Sequence, residues 1–290
     1  MEANEILRKV RHIEIKARGL SRQLFAGEYH SAFKGKGMAF NEVREYQFGD
    51  DIRAIDWNVT ARFNHPFVKI FEEERELTVM LLIDVSKSSF FGSDRMKNEL
   101  IIEIAGVLSF SANINNDKVG AIFFSNAVEK YIPPMKGTKH ILRIIREMIT
   151  FEPKYNGTDI QVPLQFLTNV IKKRATVFLV SDFQSDNYKM AIQIANRRHD
   201  LVALRIIDHR ETEMVDVGIL KVVDPETNKE YWIDSSSKKS RNQYVQNWNR
   251  FNEETDAMFK KAGIDQVKLF TNKDYVQPLI KLFKQRGARF

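Results

Sequence analysis

The sequence predicts an α/β protein with a doubly wound, mostly parallel sheet, preceded by an N-terminal helix and a small β-rich segment. Two observations predict this class. LTVMLLID (77–84), KVGAIFFS (118–125), ATVFLVSD (175–182) and LVALRIID (201–208) are apolar almost without a break, as strands covered on both faces must be. Segments of helical period separate these runs, and strands joined through helices make right-handed crossovers in one sheet.

Each element follows from local pattern. Ile6, Leu7, Val10, Ile13 and Ala17 recur at helical spacing, so the chain opens with a helix closed by Gly19. The stretch from Gly27 to about residue 75 mixes aromatics with close-set opposite charges. Short strands and turns are expected there, punctuated by Gly27, Gly35, Gly37 and Gly49. Residues 1–75 are therefore taken as helix and β-rich segment, and residues 76–290 as the main domain. Within that domain Met96, Leu100, Ile101, Ile104, Ala105 and Leu108 trace one helical face, and Ile141, Leu142, Ile145, Met148 and Ile149 another. VPLQFLTNVIKK (162–173) and YKMAIQIANRR (188–198) add two further helices. Residues 219–234 read as a hairpin turning at Pro225 and Asn228, an insertion near 218–234. A long polar helix from Lys238 to Ala262 offers Tyr244, Trp248, Phe251 and Phe259 for packing. DQVKLFT (265–271) is the last strand and DYVQPLIKLFKQRG (274–287) the last helix.

Composition removes several functional classes. The 45 Lys and Arg exceed the 38 Asp and Glu by seven, but the basic residues are scattered among acidic ones, which reads as a solvated surface and not a nucleic-acid face. With no cysteine there is no disulfide, thiolate zinc site or thiol nucleophile. No apolar run reaches 18 residues and the first twenty are charged throughout, so neither a signal peptide nor a membrane span is expected, and a cytoplasmic protein is. No GxxxxGK[ST] loop occurs, and the GKG near residue 35 is too short for a phosphate cradle.

In a doubly wound sheet the loops at the carboxyl ends of the strands converge on one crevice. Three of them carry oxygen donors: Asp84, Ser86 and Ser88 after the first strand, Gly157-Thr158-Asp159 before the third helix, and Ser181-Asp182 after ATVFLV. Residues two apart in an extended segment point the same way, so Asp84, Ser86 and Ser88 can reach one ion. Such hard donors suit Mg2+ or Mn2+, with Ca2+ a further alternative. Two carboxylates nearly cancel a divalent charge and leave the ion attractive to an outside carboxylate. Asp159 is read as a helix-start residue satisfying free amides.

The pattern Asp84-x-Ser86-x-Ser88, a Thr in the second loop and an Asp in the third resembles the metal-ion-dependent adhesion site of von Willebrand factor A-type domains. The resemblance implies Mg2+ held by Asp84, Ser86, Ser88, Thr158 and Asp182, with an acidic residue of a partner completing the shell and the surrounding loops meeting that partner. Ser89 stands where that family usually has methionine. Upstream, FKGKGMAFNEVREYQFGDDIRAIDWNVTARFNHPFVKIFEEE (33–74), together with GTDI and LVSDF, is similar to the bacterial family known as domain of unknown function 58. That likeness covers most of the chain. It implies a chaperone-like partner of a MoxR-type AAA+ ATPase, an adaptor and not an enzyme.

A strand ending in Asp84, with Asp182 and Asp186 four apart, also resembles a haloacid-dehalogenase phosphohydrolase using Asp84 as nucleophile. Those enzymes place a second acid two residues on, and Ser86 cannot protonate a leaving group. Asp50, Asp51 and Asp56 with Arg44, Arg53 and Arg62 read as structural ion pairing, with Trp57 as a packing anchor. The six histidines show no metal or triad spacing and are expected at the surface or core edge.

Overall fold

The computed structural model describes residues 3–22, 39–72, 77–223 and 229–288. Gly27, Gly35, Gly37, His30 and the hairpin turn at Pro225 and Asn228 lie outside the described residues. The chain divides into two compact units, Lys34–Leu77 and the remainder. Helix α1 (Ala3–Leu20) belongs to the larger unit, so the segment expected to run from 1 to 75 is split between them.

The small unit is an antiparallel ribbon of β1 (Ala39–Glu45) and β2 (Phe67–Glu72). Between them lie a 3-10 turn (Ile52–Ala54) and a short helix α2 (Trp57–Phe63), where only strands and turns were expected. The helix starts because Asp56 Oδ1 accepts from the Asn58 and Val59 amides at 2.9 and 3.3 Å, and it stops at Asn64 with φ 56°. Asp51 caps the 3-10 turn through the Arg53 amide. Asp50 accepts two bonds from the Arg44 guanidinium at 2.8 and 2.7 Å. Ion pairing is thus the role of Asp50, while Asp51 and Asp56 are chiefly caps. Trp57 is no packing anchor: it begins α2 with 67% of its surface exposed.

The larger unit follows the expected alternation: β3 (Thr78–Asp84), α3 (Lys97–Ile114), β4 (Lys118–Phe124), β5 (Val128–Met135), α4 (Thr138–Ile149), α5 (Gln161–Val170), β6 (Thr176–Ser181), α6 (Lys189–Arg198), β7 (Asp200–Ile207) and α7 (His209–Thr212). The hairpin β8 (Ile219–Val223) and β9 (Glu230–Asp234), the long helix α8 (Lys238–Ala262), β10 (Asp265–Phe270) and α9 (Val276–Gly287) complete it. The sheet order is β10-β7-β6-β3-β4-β5, parallel except for β5. The doubly wound, mostly parallel sheet is therefore present. On one face Met80, Leu82, Val177 and Leu179 pack under α5, α6 and α8 through Leu164, Leu167, Ile192 and Phe259. The other face is covered by α3, α4 and α9, with α1 lying on α3 and α4 as an outer layer. Phe178 meets Phe283 of α9 edge-on at 6.5 Å.

Strand β5 was hidden in the sequence. VEKYIPPM carries Pro133 and Pro134, which cannot donate to a ladder and are tolerated only on an outer strand. β5 is that outer strand, and its register shifts opposite Gly120. A Cβ at Gly120 would stand 2.9 Å from Ile132 O and from Pro134 N, so only glycine admits this close approach. His140 and His199 also depart from expectation, since both are buried.

From β3 the chain runs outward through β4 to β5, then returns to β6 and continues the other way through β7 to β10. The order reverses between β3 and β6. The carboxyl ends of those two strands flank the crevice that such a reversal opens.

Candidate functional site

Asp84 is the last residue of β3 and Asp182 follows the last residue of β6, so both carboxylates stand at the point of reversal. Both are buried. The Ser86 amide donates to Asp84 Oδ1 at 3.0 Å, and the Ser181 hydroxyl donates to Asp84 Oδ2 at 2.6 Å. Ser86 opens a 3-10 turn (Lys87–Phe90) that brings the Ser88 hydroxyl within 3.0 Å of its own. Ser88 hydrogen-bonds the Asp182 carboxylate, whose Oδ1 also accepts from the Gln184 amide at 3.1 Å. Ser89 supports the turn from beneath by donating its hydroxyl to Ser86 O at 2.7 Å. Four of the five residues singled out by sequence therefore form one hydrogen-bonded group.

Thr158 lies on the adjoining loop. Gly157, at φ 87°, turns the chain there, and the Asp159 amide donates to Ser125 O at the end of β4. The Ser185 hydroxyl, on the loop after β6, donates to Thr158 O at 3.0 Å. The backbone of this loop is thus pinned to the ends of two strands on the same sheet edge. Asp159 accepts from the Gln161 amide at 2.8 Å, the helix-start role its spacing foretold. Asp186, the second carboxylate of SDFQSD, is exposed.

The two carboxylates titrate in opposite directions. Burial and the neighbouring Asp182 charge push Asp84 up to about 7. Burial also opposes ionisation of Asp182, but the Lys97 ammonium outweighs it and holds Asp182 below the usual carboxylate range. Like charges in one dry pocket cannot both ionise freely without a cation.

Lys97 is the residue that sequence reading missed. The helical spacing starts the apolar stripe of α3 at Met96, yet Met96 is exposed and Lys97 is 1% exposed. Lys97 Nζ donates to Asp182 Oδ2 at 2.8 Å and forms a second, shorter ion pair with Glu211. Glu211 sits in α7, where its carboxylate accepts from the Asp208 amide in a capping box. Asp208 in turn accepts from Ser93, Arg210 and Thr271. The carboxyl ends of β3, β6, β7 and β10 are joined by this polar network. Nothing local marks Lys97 as buried; only the loop before it does. Gly92 makes that loop tight, since a Cβ there would stand 2.2 Å from Arg95 O.

The loops that carry these groups also expose apolar side chains. Phe90, Phe91 and Met96 on the loop after β3, and Tyr155 on the Thr158 loop, are 44–51% exposed. Among the described residues no three His, Asp or Glu side chains are arranged to hold a metal. The donor set here is of another kind, two carboxylates with two hydroxyls beside them. All are hard oxygen donors, and the set fits a small divalent cation.

Fold and site together define a doubly wound α/β protein with carboxylate and hydroxyl groups gathered at its switch point. The chain belongs to the family described as "Protein of unknown function DUF58", which matches residues 42–254. The uncharacterized protein Rv1480 of Mycobacterium tuberculosis is 27% identical over 270 residues, which make up 90% of this chain and 84% of that protein. An aerotolerance-related membrane protein from Bacteroides fragilis NCTC 9343 shares the fold at 13% identity and a TM-score of 0.50, over 74% of this chain and 100% of that one. The SpRpn10 VWA domain is similar at 8% identity and a TM-score of 0.40, over 74% of this chain and 96% of that one. Among the described residues no helix is long and apolar enough to cross a membrane.

Proposed function

We propose that this protein is a metal-dependent protein-interaction module of the von Willebrand A type. In this reading Asp84, Ser86, Ser88, Thr158 and Asp182 hold Mg2+, and a partner's carboxylate fills the remaining position. The observation that carries the reading is the meeting of two buried carboxylates and two hydroxyls at the sheet's switch point, on loops that also expose Phe90, Phe91, Met96 and Tyr155. When bound, the cation supplies a positive centre that captures an outside carboxylate. The chain's own groups do the rest. Ser181 and the Ser86 amide orient Asp84, and Ser88 and the Gln184 amide orient Asp182. The exposed apolar side chains of these loops give a partner apolar surface to bury beside the polar centre.

The resemblance to the DUF58 family makes a MoxR-type AAA+ ATPase the partner proposed, with the chain as its adaptor. The test is calorimetry with Mg2+ on the wild type, Asp84→Ala and Asp182→Ala, followed by capture of the purified ATPase with and without a chelator. Both variants should lose Mg2+ affinity and capture while keeping their helical circular dichroism. Unchanged Mg2+ affinity in both would sink the assignment, and phosphatase turnover lost in Asp84→Asn would favour a hydrolase instead.

A further inference from the structure

The pocket that would take a divalent cation already holds a cation belonging to the chain. Lys97 Nζ is 2.8 Å from Asp182 Oδ2, with 1% and 4% of the two side chains exposed. The opposite oxygen, Asp182 Oδ1, is taken by the Gln184 amide. A metal ion drawing on the full charge of Asp182 therefore meets an ammonium on the same carboxylate, and like charges at such separations repel strongly away from bulk water. Lys97 also has a second anchor. Glu211 pairs with it from α7, and the Asp208 amide holds that carboxylate at 2.9 Å. An ammonium with three donors on a flexible stem can shift its weight from one carboxylate to the other without leaving the protein interior. Formally, Asp84, Asp182 and Glu211 against Lys97 leave two negative charges, the complement of one divalent ion.

Resting on the cation-binding reading above, we propose that Lys97 is a built-in competitor for the site. It occupies Asp182 when no divalent ion is bound and withdraws onto Glu211 when one enters, so it sets how tightly the site takes its metal. The competitor keeps the isolated protein's hold on metal weak. A partner carboxylate, adding charge on the far side of the ion, then tips the exchange. Metal and partner bind as a linked pair, each raising the other's affinity.

The test uses the whole chain and Mg2+ alone, at fixed pH and ionic strength. Lys97→Met on its own leaves buried Asp182 and half-buried Glu211 without their cation and endangers the fold, so the main variant is Lys97→Met with Glu211→Gln, which removes one charge of each sign. Titration calorimetry and the Mg2+-dependent rise in unfolding temperature are measured on the wild type, on this double variant, and on the double variant carrying Asp84→Ala. At least tenfold tighter Mg2+ binding by the double variant, abolished by Asp84→Ala, is the result expected. Affinity within threefold of wild type overturns the competitor role and leaves the metal site standing. Tightening that survives Asp84→Ala also overturns it, because the ion would then be bound elsewhere. If neither wild type nor double variant binds Mg2+, the cation site falls and the competitor falls with it.

Discussion

Lys97 Nζ and Asp182 Oδ2 lie 2.8 Å apart in a pocket that leaves 1% and 4% of their side chains exposed, so α3 and the end of β6 are joined by a buried ion pair. Such a pair is worth little when made and costs a great deal when broken, because the abandoned charge stays dry.

Lys97→Met should accordingly lower stability by about 3–5 kcal/mol, read as a fall in the urea midpoint without change of slope. Adding Glu211→Gln should recover part of that loss by removing one of the two orphaned carboxylates. A single variant as stable as wild type would mean that Lys97 does not bear on Asp182 in solution.

The loop before Lys97 makes a separate prediction. An added Cβ at Gly92 would stand 2.2 Å from Arg95 O and 2.6 Å from Met96 Cα, both backbone atoms that cannot step aside alone. Gly92→Ala should cost about 1–3 kcal/mol, the range for forcing atoms into a packed site, and should tighten Mg2+ binding by displacing Lys97 from Asp182. Thermal unfolding checks the first and calorimetry the second. A variant matching wild type in both would show that the loop can open at no cost.

The fold was legible where strands are buried on both faces, because β3, β4, β6 and β7 each write a nearly unbroken apolar run, interrupted in β7 only by Arg205. Strand β5 was not, since Pro133 and Pro134 imitate a loop and only its place at the sheet edge admits them. Helix α2 escaped for a related reason: seven residues, Trp57–Phe63, carry too little periodicity, and the Asp56 cap that starts it resembles an ion-pair partner in the sequence. At the site, Asp84, Ser86, Ser88 and Asp182 were legible because strand ends fix where such side chains stand. Lys97 and Glu211 were not. A lysine beside an exposed methionine reads as surface, and its burial depends on α7, a four-residue helix no pattern announces.

Two buried histidines set an acid limit on stability. His199 is 1% exposed, both ring nitrogens lack a hydrogen-bond partner, and burial together with Arg198 and Arg174 holds its imidazole below the usual value. Burial lowers His140 as well, against the pull of Val119 O, which lies 2.9 Å from Nε2. The unfolded chain, with histidines near about 6.5, binds protons that the folded chain refuses. Their stabilising contribution is complete above that value and is lost as pH falls below it. Asp84, pushed up to about 7 in the fold, takes up its proton over the same range and works the other way, so the check is a difference. Between pH 7 and pH 5 the urea midpoint of the wild type should fall relative to that of His199→Leu. Equal slopes for variant and wild type would place the acid sensitivity elsewhere.

Arg205 sits wholly buried in β7, yet its guanidinium is only partly satisfied. Nη1 donates to Asp256 Oδ1 at 2.8 Å, Nε and Nη2 have no hydrogen-bond partner, and the group lies over the Phe251 ring at 5.8 Å. Burial pushes its affinity for a proton below the usual arginine value, against the attraction of Asp256. Taking so many donors out of water is not repaid by one bond and a ring, whereas a methionine of similar length would fill the space without that debt. Arg205→Met should therefore change stability by no more than about 1 kcal/mol, or raise it. Asp256→Ala should instead cost about 3 kcal/mol, the lower end for orphaning a buried charge because Asp256 is itself partly exposed. The aspartate also holds Lys268 at 2.7 Å, so the triple of Arg205, Asp256 and Lys268 gives a direct discrimination. If Arg205→Met proves the more damaging substitution, the guanidinium is stabilising the junction of α8 with the sheet, and its unpartnered nitrogens are served by water.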